Sequence, residues 1–250
     1  MKCIIHAGGK GERLREIWKG PKSLIPISKD NPKPLIYFHL LPFVRTGIQE
    51  YIITISKRSE LPQKLGVLER ELDINFEFLV EPRRIGRAGV VNYGIELGVI
   101  NVNEGYIMSH PDDLVSLDMK SFLHEAKTRK DIDILLAVSR KFPSPYGIIN
   151  VDGKKISFEE KPEITLQPGR YVFTGIAYYS PQAMKEFEKI NWQTLEKPIH
   201  AEECIIPDLA REGKVGIFEV KGFIPVNYPS DLRRVRNMRY GEIINFLFNT

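Results

Sequence analysis

The 250-residue sequence predicts an α/β fold with a mixed, mostly parallel central sheet flanked by helices, on three observations. Through residue 115, short β-branched runs alternate with segments of helical period, which is the grammar of repeated β-α-β units. A glycine cluster follows the first run directly, and so sits at a strand's carboxyl end, where open α/β sheets bind ligands. Beyond residue 115 the alternation gives way to hairpin grammar, so the second half is built differently.

The elements follow in order. KCIIHA (2–7) reads as the first strand, KPLIYFHLLPFVRTG (33–47) as a helix, YIITIS (51–56) as a strand and LPQKLGVLERELD (61–73) as a helix. FEFLVE (76–81), GRAGVVNYGIELGVI (86–100) and GYIMSHPDD (105–113) continue the series as strand, helix and strand. A helix then starts near Asp118, IDILLAVS (132–139) is a strand, and Asp152-Gly153 inside YGIINVDGKKISFEEKP (146–162) marks a hairpin turn. YVFTGIAYYS (171–180) is a strand leading into a helix that starts on Pro181, a residue suited to a first helical turn. The run 230–248 reads as one terminal helix. There is no internal repeat and no low-complexity linker, so residues 1–250 are expected to form a single domain with two unequal halves, 1–115 and 116–250, without a hexapeptide β-helix array.

Composition narrows the partners. A net charge of +4, from 36 basic against 32 acidic residues, is too small an excess to imply a nucleic-acid or membrane surface, and it leaves anionic small molecules open. Cys3 and Cys204 are far apart with no paired spacing, which argues against a disulfide framework or thiolate zinc and for a reducing compartment. The apolar run after Lys2 is too short for a signal peptide, and no run reaches membrane-spanning length, so a cytoplasmic protein is expected. Oligomeric state is not readable, and a homo-oligomer stays open.

The loop HAGGKGERL (6–14) carries the chemistry. A dinucleotide fingerprint needs a small residue where Leu14 stands, and a Walker loop needs Gly-Lys-Ser/Thr in register, whereas Pro21 separates Gly20 from Lys22. Glycines let amide N–H groups converge on an anion, while Arg13 and Lys22, flanked by prolines, add charge-assisted contacts to phosphate oxygens. Taken alone, the glycines fit a tight solvent loop equally well.

Taken together, Gly8-Gly9-x-Gly11-x-Arg13-Leu14, Pro21-Lys22-x-Leu24-x-Pro26 and Lys33-Pro34-Leu35 resemble, in order and spacing, the signature of the sugar-1-phosphate nucleotidylyltransferases. The resemblance implies a Rossmann-like nucleotide-diphospho-sugar transferase fold, with a nucleotide-binding first half and a sugar-phosphate-binding second half. It also implies joining of an NTP and a sugar 1-phosphate to give a nucleotide sugar and pyrophosphate, with Mg2+ as cofactor. Arg13 and Lys22 would grip the triphosphate, and the backbone at Ala7, Gly8, Gly9 and Gly11 would bind the nucleotide. VEPRRIGRAGVV (80–91) is similar to the family's next motif and would set Glu81 and Gly86 near the base. Arg87 stands where Thr is common, either as a phosphate contact or in solvent.

The family's magnesium-binding aspartate is matched by Asp112, with Asp113 the second choice, and a strand-end carboxylate pair suits a hard cation that keeps its waters and bridges phosphates. An Asp pair turning into a helix is the plainer alternative. The family's second ligand is matched by Asn227 in PVNYPSDL, since Pro225 occupies the commonest aspartate position; Asp231 reads as part of the last helix's N-terminal cap. For the sugar phosphate, Gly147, Glu160 and Lys161 match the family's hairpin motif, where an exposed charged strand is the alternative. Gly175 matches the following strand motif, with Phe173 in place of its Asn.

His6, Glu12 and Arg15 also depart from the pattern, without removing a needed charge. A catalytically inactive homologue that binds a nucleotide sugar as a sensor or regulatory subunit is the main rival, supported by Arg87, Phe173 and Pro225. A glycosyltransferase is disfavoured because HPDDL lacks an Asp-x-Asp spacing. His200, Glu202 and Cys204 superficially suggest a deaminase metal site, but the paired-cysteine half is missing. His110 reads as a hydrogen-bonded loop histidine, and Arg233, Arg234, Arg236 and Arg239 as a solvated helix face.

Overall fold

The computed structural model describes residues 1–9, 11–57, 59–143, 148–152, 155–159 and 163–248, with 142–143, 148–152, 155–159 and 163 as backbone. Its central sheet has seven strands: β1 (Lys2–His6), β2 (Glu50–Ser56), β3 (Asn75–Glu81), β4 (Tyr106–Ser109), β5 (Ile134–Ser139), β6 (Val172–Tyr179) and β7 (Val215–Glu219), in the order β7-β5-β6-β4-β1-β2-β3. β1 pairs in parallel with β2 and β4, β2 with β3, and β5 with β7, while β6 runs antiparallel to both β4 and β5. The sheet is therefore mixed and mostly parallel, as predicted.

Helices cover both faces, which is why the central strands read as unbroken apolar runs. Cys3, Ile5 and Ile53 point into one core, with side chains of α1 (Leu35–Val44), α2 (Leu61–Leu72) and α4 (Met119–Thr128). Ile4 and Ile52 point into the other, with α3 (Gly86–Glu96), α5 (Pro181–Glu188) and α6 (Ile205–Arg211). The alternation along each strand divides one apolar run between two cores. Local signals start the helices where expected: the Asp118 carboxylate accepts the Ser121 N–H at 3.1 Å, and Ser180 Oγ accepts that of Ala183 at 3.2 Å ahead of Pro181.

From β1 the chain moves outward to β2 and β3, then returns to place β4 on the other side of β1. The order reverses between β1 and β4, so their carboxyl ends, at His6 and Ser109, flank a switch-point crevice. The predicted hairpin is present as an antiparallel pair, Ile148–Asp152 with Lys155–Glu159, in which Asp152 faces Lys155; Gly153 lies outside the described residues.

Two features differ from expectation. The single terminal helix is two, α7 (Pro229–Asn237) and α8 (Tyr240–Phe248), broken at Met238, whose ψ of 145° is extended. Side-chain and loop contacts hold the break: Glu242 accepts the Arg239 N–H at 2.6 Å, Asp30 accepts that of Tyr240 at 2.7 Å, and the Lys29 N–H donates to the Met238 carbonyl. The arginines of this run are also not one solvated face, because Arg236 is half-buried and its Nε donates to the Pro26 carbonyl at 3.2 Å. The sequence pattern does not announce α6, β7 or a short strand Gly222–Pro225. That strand pairs antiparallel with Asp113–Ser116, bringing Pro225 opposite Asp113. Among the described residues no helix is long and apolar enough to cross a membrane.

Candidate active site

The glycine loop is held at both ends. The Ala7 N–H donates to the Thr54 carbonyl at 3.0 Å, extending the β1–β2 ladder by one bond, and fully buried Leu14 pins the far end. Between them, Gly11 is left-handed (φ 58°) and opens the short turn Glu12–Leu14, a conformation that glycine adopts at little cost. Gly9 is exposed with open space around it, whereas a Cβ on Gly8 would come within 3.0 Å of Glu81 Oε1. Pro21 starts the next turn, Lys22–Leu24, whose buried Ser23 and Leu24 fix the Lys22 backbone, and Trp18 Nε1 donates to the Pro21 carbonyl at 2.9 Å.

Lys22 Nζ then reaches two oxygens from distant parts of the chain, Asp112 Oδ2 at 3.1 Å and Asn227 Oδ1 at 2.9 Å. The segment carrying Asn227 is itself tied down. Asp231 accepts the backbone N–H of Asn227 at 3.0 Å and of Tyr228 at 2.8 Å, and Asp113 accepts that of Val226 at 2.9 Å. Asp231 thus caps α7 as expected, and in doing so sets Asn227. The Arg13 guanidinium carbon lies 5.4 Å from the centroid of the Tyr228 ring, a cation–π contact.

These residues surround one cavity of about 440 Å³, lined by Ala7, Gly9, Gly11, Arg13, Lys22, Asp112 and Asn227 together with His6, Ser23, Arg84 and Arg87. Of the residues expected near the base, Glu81 touches the loop at Gly8 and accepts the Ile85 N–H at 3.4 Å, and burial raises its pKa. Gly86 is not among the residues lining the cavity and packs against the 199 segment, where a Cβ would meet the Ile199 carbonyl oxygen at 2.2 Å. Gly175 lies on a second, smaller cavity beside Phe173. Gly147, Glu160 and Lys161 lie outside the described residues.

The carboxylates behave oppositely. Burial works against a charged Asp112, but Lys22 and His110 outweigh it and hold the group below the ordinary carboxylate range. Asp113 is pushed up to about 8, by burial first and then by the neighbouring Asp112. Only one of the pair is therefore comfortably anionic near neutrality, which suits Asp112 as the oxygen donor and Asp113 as the backbone strut.

Asp112 and Asn227 present hard oxygens to one cationic point, a donor set that fits a magnesium ion drawing its remaining ligands from water and phosphate. Among the described residues no group of three or more His, Cys, Asp or Glu is placed to hold a metal.

Three histidines gather around Arg87, and of these His6 lines the cavity. His6 Nδ1 contacts Thr54 Oγ1 at 3.2 Å, the His6 and His110 rings are 5.8 Å apart, and His200 Nδ1 accepts the Arg87 N–H at 3.2 Å. Burial, followed by neighbouring charges including Arg87, lowers all three pKa values. Arg87 lines the cavity with its guanidinium paired to Glu202 Oε1 at 2.8 Å, and His110 Nε2 sits 4.0 Å from the same oxygen. Cys204 Sγ donates to the His200 carbonyl. Arg84 and Ser23 escape a sequence reading because each stands at a position of no fixed type within its motif, and Glu202 enters it only through the rejected deaminase pattern.

Comparison with known proteins agrees with this geometry. The nucleotidyl transferase family model matches residues 2–222. The mannose-1-phosphate guanylyltransferase catalytic subunit beta of Danio rerio is 27% identical over 243 residues, covering 92% of this chain; the chain spans 62% of that protein's length. The D-glycero-alpha-D-manno-heptose 1-phosphate guanylyltransferase of Campylobacter jejuni is 29% identical over 220 residues, which are 83% of this chain and 92% of that protein. Among solved structures, HddC from Yersinia pseudotuberculosis complexed with GMP-PN superposes with a TM-score of 0.66 at 20% identity, covering 94% of this chain and 97% of that one. The inositol-1-phosphate CTP transferase from T. maritima superposes at 0.65 and 18%, covering 92% and 91%. These two likenesses establish a shared fold.

Proposed function

The chain belongs to the nucleotidyl transferase family, and from that premise we propose that it joins an NTP and a sugar 1-phosphate into a nucleotide sugar, releasing pyrophosphate. The observation that carries this reading is the convergence, in one switch-point cavity, of the glycine loop, Arg13, and Lys22 with Asp112 and Asn227. The relatives acting on mannose and heptose 1-phosphates, and the neighbour holding GMP-PN, support the same class and put GTP first among the donors to test. We read residues 1–250 as one nucleotidyltransferase domain. The free cysteines, Cys3 buried and Cys204 half-buried, suit a reducing cytoplasmic compartment.

In such a transfer a sugar phosphate oxygen attacks the α-phosphorus in line and pyrophosphate leaves, so the protein's task is to align two repelling anions and neutralise developing charge. The amides of Ala7 to Gly11 and the side chains of Arg13 and Lys22 bind and orient the triphosphate. Lys161, with Gly147, Glu160 and Gly175, takes the sugar phosphate, and Glu81 and Gly86 shape the base side. Mg2+ would supply charge screening for the phosphates when held by the side-chain oxygens of Asp112 and Asn227. Lys22, already hydrogen-bonded to both of those oxygens, holds them at one point in the protein itself.

A second reading has its own observation. Lys22 spans the two oxygens, and Pro225 stands at the position of an aspartate, an arrangement that also suits a protein which binds a nucleotide sugar without turnover. Pyrophosphate release with Mg2+ across a matrix of NTPs and sugar 1-phosphates separates the two. Release in at least one combination is expected. Silence in all of them, with a melting temperature raised by a nucleotide sugar, would establish the binding protein instead.

A further inference from the structure

Beside the main cavity, and sharing His6 and Arg87 with it as common walls, lies a small one bounded by His110, Phe173, Gly175 and Glu202. Its volume of about 10 Å³ is close to that of one water-sized probe, so it has room for a single oxygen atom. Two of the cavity's residues carry an unusual defect. Among the described residues, buried side-chain polar atoms without a hydrogen-bond partner are Ser23 Oγ, Arg87 Nε and Glu202 Oε2. The last two belong to one ion pair, in which Arg87 Nη2 occupies Glu202 Oε1 and leaves Arg87 Nε as an unpaired donor and Glu202 Oε2 as an unpaired acceptor. A buried polar atom left so carries a desolvation cost that is recovered when a partner arrives.

A group that both donates and accepts, and contributes one oxygen, meets this demand, and a hydroxyl does so without bringing a charge. The pocket's position says whose hydroxyl. Gly175 belongs to the strand expected to face the sugar, and Phe173 presents an apolar ring where that strand's pattern has a hydrogen-bonding Asn. The Arg87–Glu202 ion pair supplies the pocket with one cation and one anion.

The geometry points to Glu202, oriented by Arg87, as a specificity-determining residue that reads one sugar hydroxyl in the small cavity, supplying the hydrogen bond that the Phe173 ring cannot make. This rests on the sugar-phosphate reading above.

Calorimetric titration of mannose 1-phosphate, and of the sugar 1-phosphate that performs best in the pyrophosphate matrix, tests it with wild type, Glu202→Ala and Glu202→Gln. Glu202→Ala is expected to weaken sugar phosphate binding about tenfold or more while leaving NTP binding unchanged. One monodeoxy analogue should bind wild type correspondingly weakly and lose nothing further on Glu202→Ala, a coupling that general loosening of the fold does not produce. If Glu202→Ala does not fold, the same coupling is read with Glu202→Gln, which keeps the side chain's shape. Unchanged sugar phosphate affinity, equal additive losses for every analogue, or a wild type that binds no sugar 1-phosphate would each overturn the assignment. Binding that depends on Glu202 without any turnover overturns the transferase reading and leaves this one standing.

Discussion

Lys22 and Asp112 are 90 residues apart in sequence, yet Nζ and Oδ2 meet at 3.1 Å in a pair whose lysine side chain is only 13% exposed. The ammonium keeps the carboxylate ionised against burial, and the carboxylate keeps the ammonium aimed at the cavity rather than at solvent. Any cation recruited by Asp112 and Asn227 works on the same oxygens that Lys22 already orders.

Asp112→Asn keeps the side chain's size and removes its charge. Pyrophosphate release is expected to fall at least about a hundredfold, and added magnesium should not restore it. Chelation of divalent ions should silence the wild-type protein in the same assay. A variant with near wild-type turnover would refute the metal role.

Tyr228 supports Arg13 through its ring face. Exposed cation–π contacts contribute on the order of 0.5–1 kcal/mol, so Tyr228→Leu should raise KM for the NTP about two- to fivefold. Sugar phosphate KM should hardly change. Initial-rate kinetics with each substrate varied in turn gives the split.

Gly86 combines a φ of 81° with backbone contact on both sides, since the Ile199 N–H donates to the Ile85 carbonyl and the Ala88 N–H to that of Ile199. Gly86→Ala therefore forces apart two backbones rather than one side chain. A loss of more than about 3 kcal/mol in denaturant unfolding is expected. A loss below about 1 kcal/mol would show that the 199 segment moves freely.

His39 is buried, contacts Ser109 Oγ at 2.9 Å, and has its pKa lowered to about 4, chiefly by burial. Between pH 6.5 and about 4 the unfolded chain takes up a proton that the folded histidine refuses, so stability drawn from this residue is complete above that window and falls as pH drops through it. The stake is on the order of 3 kcal/mol. Melting curves of wild type and His39→Gln should differ most near pH 7 and converge toward pH 4; a gap independent of pH would contradict the assignment.

Strands β1 to β6 and helices α1 to α5 are legible in the sequence because each has a strong period or a local start signal, such as Asp118 or Ser180-Pro181. β7 escapes because Gly216 and Glu219 interrupt its apolar pattern, and the strand Gly222–Pro225 because it forms by pairing with distant Asp113–Ser116. The split between α7 and α8 escapes for a related reason: no Gly or Pro marks Met238, and the break depends on Asp30, over 200 residues upstream. At the site, motif spacing leads to Arg13, Lys22, Asp112 and Asn227, which the fold gathers into one cavity. It cannot lead to the Arg87–Glu202 pair, whose members meet only because the Ile199 backbone crosses the start of α3. The same crossing explains Gly86, a glycine that the motif sets near the base and that close packing against Ile199 also requires.

The ladder between Asp113–Ser116 and Gly222–Pro225 works as a ruler. Asp112 lies one residue outside the Asp113–Pro225 rung and Asn227 two residues outside the same rung, so the gap between them is set by that end of the ladder and does not depend on the roughly hundred residues between the two strands. Insertions into that excursion leave the gap unchanged. A single residue added within either strand would turn one of the two oxygens to the opposite face, so the segment between the strands can vary in length while the gap between these oxygens stays calibrated.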